Sequence, residues 1–355
     1  MSARTSAFHA LRVVAIDELT DDAVALTLEV PEELREEYAF TAGQHVAILG
    51  PDEARRLYSL ASTPRSGVLR IGVKRLAGGT FSEGVLPGLA VGDTLQVMRP
   101  TGRFTVVPDR GARRRYAAIA AGSGITPVLS IITTLLEEEP HSSVTLLYAN
   151  RTRRSAMFAA ELADLERRFP DRFRLLHVLS REPADHELLS GRLDGERLPA
   201  VLDAWVPADG VDAWFLCGPQ QMVLDLRDAL LQAGVPAERV HGELFHADPT
   251  PRPVPVGGTR LVGDAGVTIR LDGRESVFAV AADGESILSA ALRVRPDLPF
   301  ACQGGVCGTC RARLVEGTVS MDASWALEPD DVARGHVLTC QAHPTSARVV
   351  LDYDG

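Results

Sequence analysis

The 355-residue chain is expected to be multidomain: a small antiparallel β-barrel, an α/β parallel-sheet domain, and a small α+β domain. Three observations predict this. Short apolar runs broken by glycine, proline and charge fill residues 1–108. Strands and helices alternate over residues 109–248. A proline-alternating stretch within residues 249–263 then leads into residues 264–355, which carry four of the five cysteines.

In the first segment, residues 11–16, 25–30 and 69–74 read as strands. Arg56-Leu57-Tyr58-Ser59 reads as another, with Arg56 and Tyr58 on one face at period two. An arginine can grip a pyrophosphate and a tyrosine can stack on a flat ring. A surface arginine beside a core tyrosine explains the pair equally well. Gly78-Gly79-Thr80-Phe81-Ser82 is expected to begin a helix whose free N–H groups and hydroxyls suit a phosphate. The alternative is an ordinary glycine turn with an N-cap.

The second segment opens with Tyr116-Ala117-Ala118-Ile119-Ala120, a buried strand, followed by Gly122-Ser123-Gly124-Ile125-Thr126-Pro127 and an apolar helix through Leu136. Glycines there allow a pyrophosphate to approach the backbone, and the helix N-terminus favours its charge. Proline near the first turn costs little. Residues 144–148, 173–178 and 213–216 read as strands, and 157–168 and 221–233 as helices. This alternation implies a parallel sheet with ligands at its C-terminal edge. Cys217-Gly218-Pro219 ends one strand, although a lone buried cysteine is usually structural.

Residues 248–258 alternate proline with other residues, which favours an extended spacer. Beyond it, residues 267–271 and 275–280 form an expected hairpin around Asp272-Gly273, and residues 286–292 a helix. Cys302, Cys307 and Cys310 are spaced C-x4-C-x2-C, with Cys340 further on. This is the plant-type [2Fe-2S] spacing. Glycines between the thiols let backbone N–H groups approach the sulfurs. Structural zinc fits less well, because no second C-x2-C pair exists. A disulfide framework is not expected in a large chain without a signal peptide.

The formal net charge of −10 argues against nonspecific nucleic-acid binding. From Asp264 onward thirteen acids face eight arginines, which suits docking on a basic partner or simply a solvated surface. No apolar run is long enough to span a membrane, and residues 1–14 lack a signal-peptide core, so the cytoplasm is the expected compartment.

Taken in order, Arg56-x-Tyr58-Ser59, Gly78-Gly79-x-x-Ser82, Gly122-x-Gly124-x-x-Pro127 and Cys217-Gly218-Pro219 resemble ferredoxin-NADP reductase-type flavoenzymes. The C-x4-C-x2-C…C pattern narrows the resemblance to oxygenase reductases with a C-terminal plant-type [2Fe-2S] ferredoxin domain. Phe8-His9-x-Leu11-Arg12-Val13, Asn150-Arg151-Thr152, Gly191-Arg192-Leu193-Asp194-Gly195-Glu196, Asp283-Gly284-Glu285-Ser286 and Leu327-Glu328-Pro329-Asp330-Asp331 resemble the branch that serves phenylacetyl-CoA epoxidation. The resemblance implies an FAD-binding barrel over 1–108, an NAD(P)-binding domain over 109–248, a linker over 249–263 and a β-grasp ferredoxin domain over 264–355.

The resemblance also implies roles. Arg56 would hold the FAD pyrophosphate, Tyr58 would stack on the isoalloxazine, and Ser59 would sit near flavin N5. Val73, Lys74, Gly79, Thr80 and Ser82 would complete the flavin site. Gly122, Gly124 and Thr126 would line the nicotinamide-nucleotide site, with Cys217 near the nicotinamide and Glu243 and Phe245 closing over the flavin. The four clustered cysteines would hold the [2Fe-2S] group. Arg151, Ser180 and Arg181 follow strands where the adenosine ribose should lie, and suit the 2′-phosphate of NADPH. NADH is the alternative, and exposed arginines in an arginine-rich chain the bland one.

The implied activity is a relay: NADPH reduces FAD, electrons pass singly to the cluster, and a multicomponent oxygenase, the di-iron phenylacetyl-CoA epoxidase, receives them. The same architecture would serve a steroid or aromatic-ring hydroxylase, and a non-enzymatic redox carrier or sensor is a third reading.

Overall fold

The computed structural model describes residues 8–52, 54–245, 264–281, 284–327 and 329–355. The expected spacer at 248–258, and Asp283 and Glu328 of the quoted motifs, lie outside the described residues. From Ala10 to Phe245 the described chain is one compact unit; residues from Asp264 onward belong to a second.

The first unit holds β1 (Phe8–Thr20) from Ala10 onward, β2 (Ala23–Glu29), β3 (His45–Leu49), β4 (Arg55–Ser59), β5 (Val68–Lys74) and β6 (Thr94–Met98). They form one six-stranded sheet in the order β4-β3-β6-β1-β2-β5. Its two ends meet where Leu60 bridges Ile71 and the Ala61 N–H donates to the Arg70 carbonyl at 2.7 Å, which curls the sheet into the expected barrel. Alternate residues point inward: Leu11 and Val13, Leu26 and Leu28, Val46 and Ile48, Ile71 and Val73 share one core with Phe81.

The same unit continues with β7 (Arg115–Ala121), α1 (Ile125–Glu138), β8 (Ser143–Asn150), α2 (Ala159–Arg168), β9 (Phe173–Leu179), α3 (Leu198–Trp205), β10 (Ala213–Pro219), α4 (Gln220–Gln232) and β11 (Val240–Phe245). The strands pair in parallel in the order β11-β10-β7-β8-β9. The inner strands β7 and β10 are nearly continuous apolar sequence because both of their faces are covered. Ala118 and Ala120 of β7 pack with α1, whereas Ala117 and Ile119 face the core shared with α3 and α4. The first of these cores also takes in Ala23, Ala25, Ala42 and Ala61, so α1 is buried between barrel and sheet. Its apolar surround explains why the helix reads as hydrophobic on every face.

The segment from Gly78 to Ser82 is corrected by the structure. It forms consecutive turns followed by a short 3-10 turn at Leu86–Gly88, not a helix. Gly78 has φ +74°, and the Ser82 hydroxyl accepts from the Leu76 N–H at 3.1 Å, closing a compact loop instead. Residue 157–158 is a smaller departure: α2 starts at Ala159, with Phe158 at φ +57° as its cap.

The second unit contains β12 (Ala265–Leu271), β13 (Arg274–Val280), α5 (Ile287–Leu292), β14 (Arg311–Glu316), β15 (Val319–Met321), α6 (Pro329–Ala333), β16 (His336–Leu338), β17 (Ala342–Pro344) and β18 (Arg348–Asp352). The β12–β13 hairpin turns through Asp272 and Gly273 at φ +53° and +68°, the left-handed pair that such a two-residue turn requires. Five strands form a mixed sheet, β13-β12-β18-β14-β16, with β12 and β18 parallel, and α5 packs into its core. This is the expected α+β arrangement of a β-grasp domain.

Candidate functional site

Two strand registers build the centre of the first unit. In the barrel, His45 of β3 stands opposite Ser59 of β4. In the parallel sheet, Cys217 of β10 stands opposite Glu243 of β11. The four side chains meet at the Glu243 carboxylate. Ser59 Oγ donates to Glu243 Oε2 at 3.1 Å, although the residues are 184 positions apart. Cys217 Sγ lies 4.0 Å from the same oxygen, and His45 Nδ1 lies 3.6 Å from Oε1. Burial pushes the Cys217 thiol well above its usual range, and the Glu243 charge adds to this, so the thiol stays neutral. Phe245 is half-buried beside the core below.

On the barrel side, Tyr58 is half-buried with its ring 5.5 Å from that of Phe81. Burial pushes its phenol up to about 12. Arg56 is bonded to the Asp52 carboxylate, with one contact of 2.8 Å, and the Gly78 N–H donates to Glu83 at 2.8 Å. Carboxylates of the chain thus occupy two donors of the expected pyrophosphate site. Lys74 lies 3.5 Å from Asp22, Val73 is fully buried, Thr80 is exposed, and Gly79 packs on the Ser82 hydroxyl.

On the sheet side, Gly122 has φ +54°, and a Cβ there would meet nothing within 4 Å. Gly124 is different: a Cβ would stand 2.3 Å from the Cys217 carbonyl oxygen. The turn therefore lies directly on the end of β10, and only glycine allows it. Helix α1 follows with no side-chain cap and no acid in its first turn, so its positive end favours an anion, although the Ile125 N–H is bonded to the Gly122 and Ser123 carbonyls. Thr126 is buried, and its hydroxyl donates to the Ser123 carbonyl at 2.9 Å. At the ends of β8 and β9, the Arg181 N–H donates to the Arg151 carbonyl at 2.9 Å, and both arginines are exposed. The Ser180 hydroxyl bonds the Asn150 carbonyl at 3.3 Å. Glu182, the nearby acid, accepts from the Arg153 N–H at 2.6 Å.

In the second unit the four cysteines fall into two pairs. A hydrogen bond from Cys307 lowers the Cys302 thiol pKa, aided by the N–H groups of Gly304, Val306 and Cys307 against the opposing effect of burial. Cys310 is raised by its hydrogen bond with Cys340 and then by burial. Gln303, Gly305 and Gly308 take φ of +51°, +74° and +68°, which wraps the loop around its own sulfurs. The Gly304 N–H points at Cys302 Sγ at 3.4 Å and the Thr309 N–H at Cys307 Sγ at 3.5 Å. Among the described residues, no three His, Cys, Asp or Glu side chains are disposed around a single ion. Two thiol pairs with inward N–H groups fit a [2Fe-2S] cluster better than one zinc ion.

Three family models match the chain in order: an oxidoreductase FAD-binding domain over residues 10–106, an oxidoreductase NAD-binding domain over 118–228, and a 2Fe-2S iron-sulfur cluster binding domain over 269–345. A component of the 1,2-phenylacetyl-CoA epoxidase of Escherichia coli (strain K12) is 43% identical over 98% of this chain and 98% of its own length. The chain belongs to the family of that epoxidase component. It is accordingly an oxidoreductase of the ferredoxin-NADP reductase type, with FAD, a nicotinamide nucleotide and a [2Fe-2S] cluster as its cofactors. The ferredoxin reductase component of 3-ketosteroid-9-alpha-monooxygenase from Rhodococcus rhodochrous is 32% identical over 97% of this chain and 96% of its own. Phthalate dioxygenase reductase shares the fold, with a TM-score of 0.60, 22% identity, and coverage of 99% of this chain and 100% of that one.

Sequence reasoning singled out Ser59, Cys217 and Glu243 for this family's chemistry but missed His45 and its neighbour Thr101. Both sit in segments without a glycine-rich or cysteine pattern. The signal that would have found His45 is its place on an apolar strand, where a buried imidazole needs a polar partner.

Proposed function

We propose that this chain takes electrons from NADPH and delivers them to a multicomponent oxygenase, the di-iron enzyme that epoxidises phenylacetyl-CoA in phenylacetate breakdown. The observation that carries this reading is the junction at Glu243, where the end of the nucleotide sheet meets the barrel strand carrying Arg56, Tyr58 and Ser59. The relative of 43% identity, itself a component of that epoxidase, supports the choice of oxygenase. When bound, the flavin accepts an electron pair and the cluster passes electrons on singly, which a nicotinamide does not readily do.

The chain's residues supply binding and orientation. Arg56 and the Gly78–Ser82 loop hold the FAD pyrophosphate, with Val73 and Lys74 beside them. Tyr58 offers its ring to the flat isoalloxazine, and its neutral phenol adds no charge there. Ser59 and Glu243 orient the reacting edge, and Phe245 helps to close it. Gly122, Gly124, the Thr126 backbone and the start of α1 take the nucleotide pyrophosphate, and the neutral Cys217 flanks the nicotinamide. Arg151, Ser180 and Arg181 bind the 2′-phosphate, with Glu182 engaged elsewhere. Cys302, Cys307, Cys310 and Cys340 would hold the [2Fe-2S] cluster, which would supply single-electron transfer. The domain limits proposed are 1–108, 109–248 and 264–355, with 249–263 as linker. Among the described residues no helix is long and apolar enough to cross a membrane, and the cytoplasm is the proposed compartment.

The test is an anaerobic visible spectrum before and after NADPH, followed by turnover with purified candidate oxygenases. Flavin and iron–sulfur bands that bleach rapidly are expected, with product formed by the phenylacetyl-CoA epoxidase. A protein without flavin bands, or one that NADPH leaves unchanged, overturns the reductase reading. Bleaching with turnover only by a steroid or aromatic-ring hydroxylase overturns the partner alone.

A further inference from the structure

We propose that His45 is a positioning residue that holds the Glu243 carboxylate in the orientation serving Ser59 and Cys217; this rests on the role given to that junction above. A carboxylate bonded through one oxygen can pivot about its last side-chain bond. Here each oxygen has a polar neighbour, of which the Ser59 contact is a hydrogen bond and the His45 contact a longer one. Oε2 accepts from Ser59 at 3.1 Å and lies 4.0 Å from Cys217 Sγ, while Oε1 faces His45 Nδ1 at 3.6 Å. The Glu243 side chain is 12% exposed and that of His45 is 3% exposed. A carboxylate so far out of water needs polar neighbours at both oxygens. Ser59 and Cys217 both lie at Oε2, so the His45 ring is the polar group of this cluster placed to serve Oε1.

The imidazole is itself held from behind. Its Nε2 lies 3.3 Å from Thr101 Oγ1. The backbones of His45 and Thr101 exchange hydrogen bonds of 2.8 and 2.9 Å. A Cβ at Gly102 would stand 2.9 Å from His45 Nδ1, so glycine leaves just enough room for the ring. With Thr101 Oγ1 donating to Nε2, Nδ1 carries its proton toward the carboxylate. The barrel thereby fixes a side chain that belongs to the nucleotide sheet.

The experiment uses the full-length holoprotein with His45→Leu, His45→Gln, Glu243→Gln and the double variant H45L/E243Q. Flavin reduction by NADPH is followed by anaerobic stopped flow, and thermal unfolding by circular dichroism. H45L is expected to slow reduction about tenfold with little change in the NADPH concentration giving half the maximal rate, since misplacement affects the reacting geometry more than nucleotide binding. H45Q, whose amide can still donate to the carboxylate, is expected to recover most of the rate. The double variant should be no slower than the slower single one, and its loss in Tm should be less than the sum of the two. A wild-type rate in H45L, or losses that multiply in the double variant, overturns the proposal. If H45L does not fold, His45→Asn, whose shorter amide falls short of Glu243, carries the same cycle. If E243Q itself reduces at the wild-type rate, the junction reading fails first; if E243Q is slow and H45L is not, only the role of His45 falls.

Discussion

Asp52 and Arg56 form a closed pair at the tip of the β3–β4 hairpin, and that pair sets a residue-scale competition. The guanidinium beside Asp52 holds its carboxyl well below the usual carboxylate range, so the acid is charged at any working pH. If Arg56 takes the FAD pyrophosphate as proposed, binding must displace or share this carboxylate. Asp52→Asn keeps the shape and removes the competitor, and is expected to tighten FAD two- to fivefold, roughly the range of a partly exposed ion pair. Fluorescence titration of the flavin-stripped protein measures it; weaker binding in D52N would mean that Asp52 aligns Arg56 rather than competes for it. At the other nucleotide, Arg151→Ala with Arg181→Ala should raise KM for NADPH about tenfold or more while leaving that for NADH nearly unchanged, because charge-assisted bonds to a phosphate would be lost. Equal effects on both nucleotides would remove the 2′-phosphate assignment.

At the scale of elements, the decisive contact is the turn before α1 lying on the end of β10. A Cβ at Gly124 would sit 2.3 Å from the Cys217 carbonyl oxygen and 2.8 Å from the Gly218 nitrogen, both backbone atoms that cannot swing aside. Gly124→Ala is therefore expected to push α1 away from β10, lowering Tm by several degrees and slowing NADPH-driven flavin reduction severalfold. Gly122→Ala meets open space but a positive φ, so its cost should be smaller and confined to the turn. The order of severity between the two variants is the check. This contact also shows what the sequence could convey. Glycine, strand and apolar helix were legible in order because each obeys a local rule. The Gly78–Ser82 segment reads as a helix start by the same local rule, yet it folds as a loop because the Ser82 hydroxyl satisfies the Leu76 N–H. Short polar side chains compete with the helix for backbone partners, and composition does not reveal which wins.

At the scale of the whole molecule, the residues hardest to read from sequence are those that join distant segments. The cysteine spacing is confined to one loop plus one strand end and was legible at once. The Glu243 junction needs two sheets, each in its correct register, before its side chains meet, and His45 had no local signature at all. Long-range burial has a measurable consequence in the first unit at alkaline pH. Burial pushes the Tyr58 and Tyr116 phenols up to about 12, and drives Tyr148 higher still. The Tyr116 hydroxyl also donates to the fully buried Glu139 carboxylate at 3.0 Å, a bond that ionisation would replace with repulsion. In the unfolded chain these phenols ionise near 10. Between about pH 10 and 12 the folded unit thus binds more protons than the unfolded one, and its stability falls as pH rises. Below pH 10 the contribution is fully present. Each of Tyr58 and Tyr116 accounts for at most about 2 kcal/mol across that window, and for less to the extent that solvent screens the phenol. Unfolding of the holoprotein followed from pH 8 to 12 should show a flat Tm giving way to a steep decline, shallower in Tyr58→Phe and in Tyr116→Phe. An identical decline in both variants would place the alkaline sensitivity elsewhere, whereas a shallower one in Y116F alone would assign it to the phenol facing Glu139.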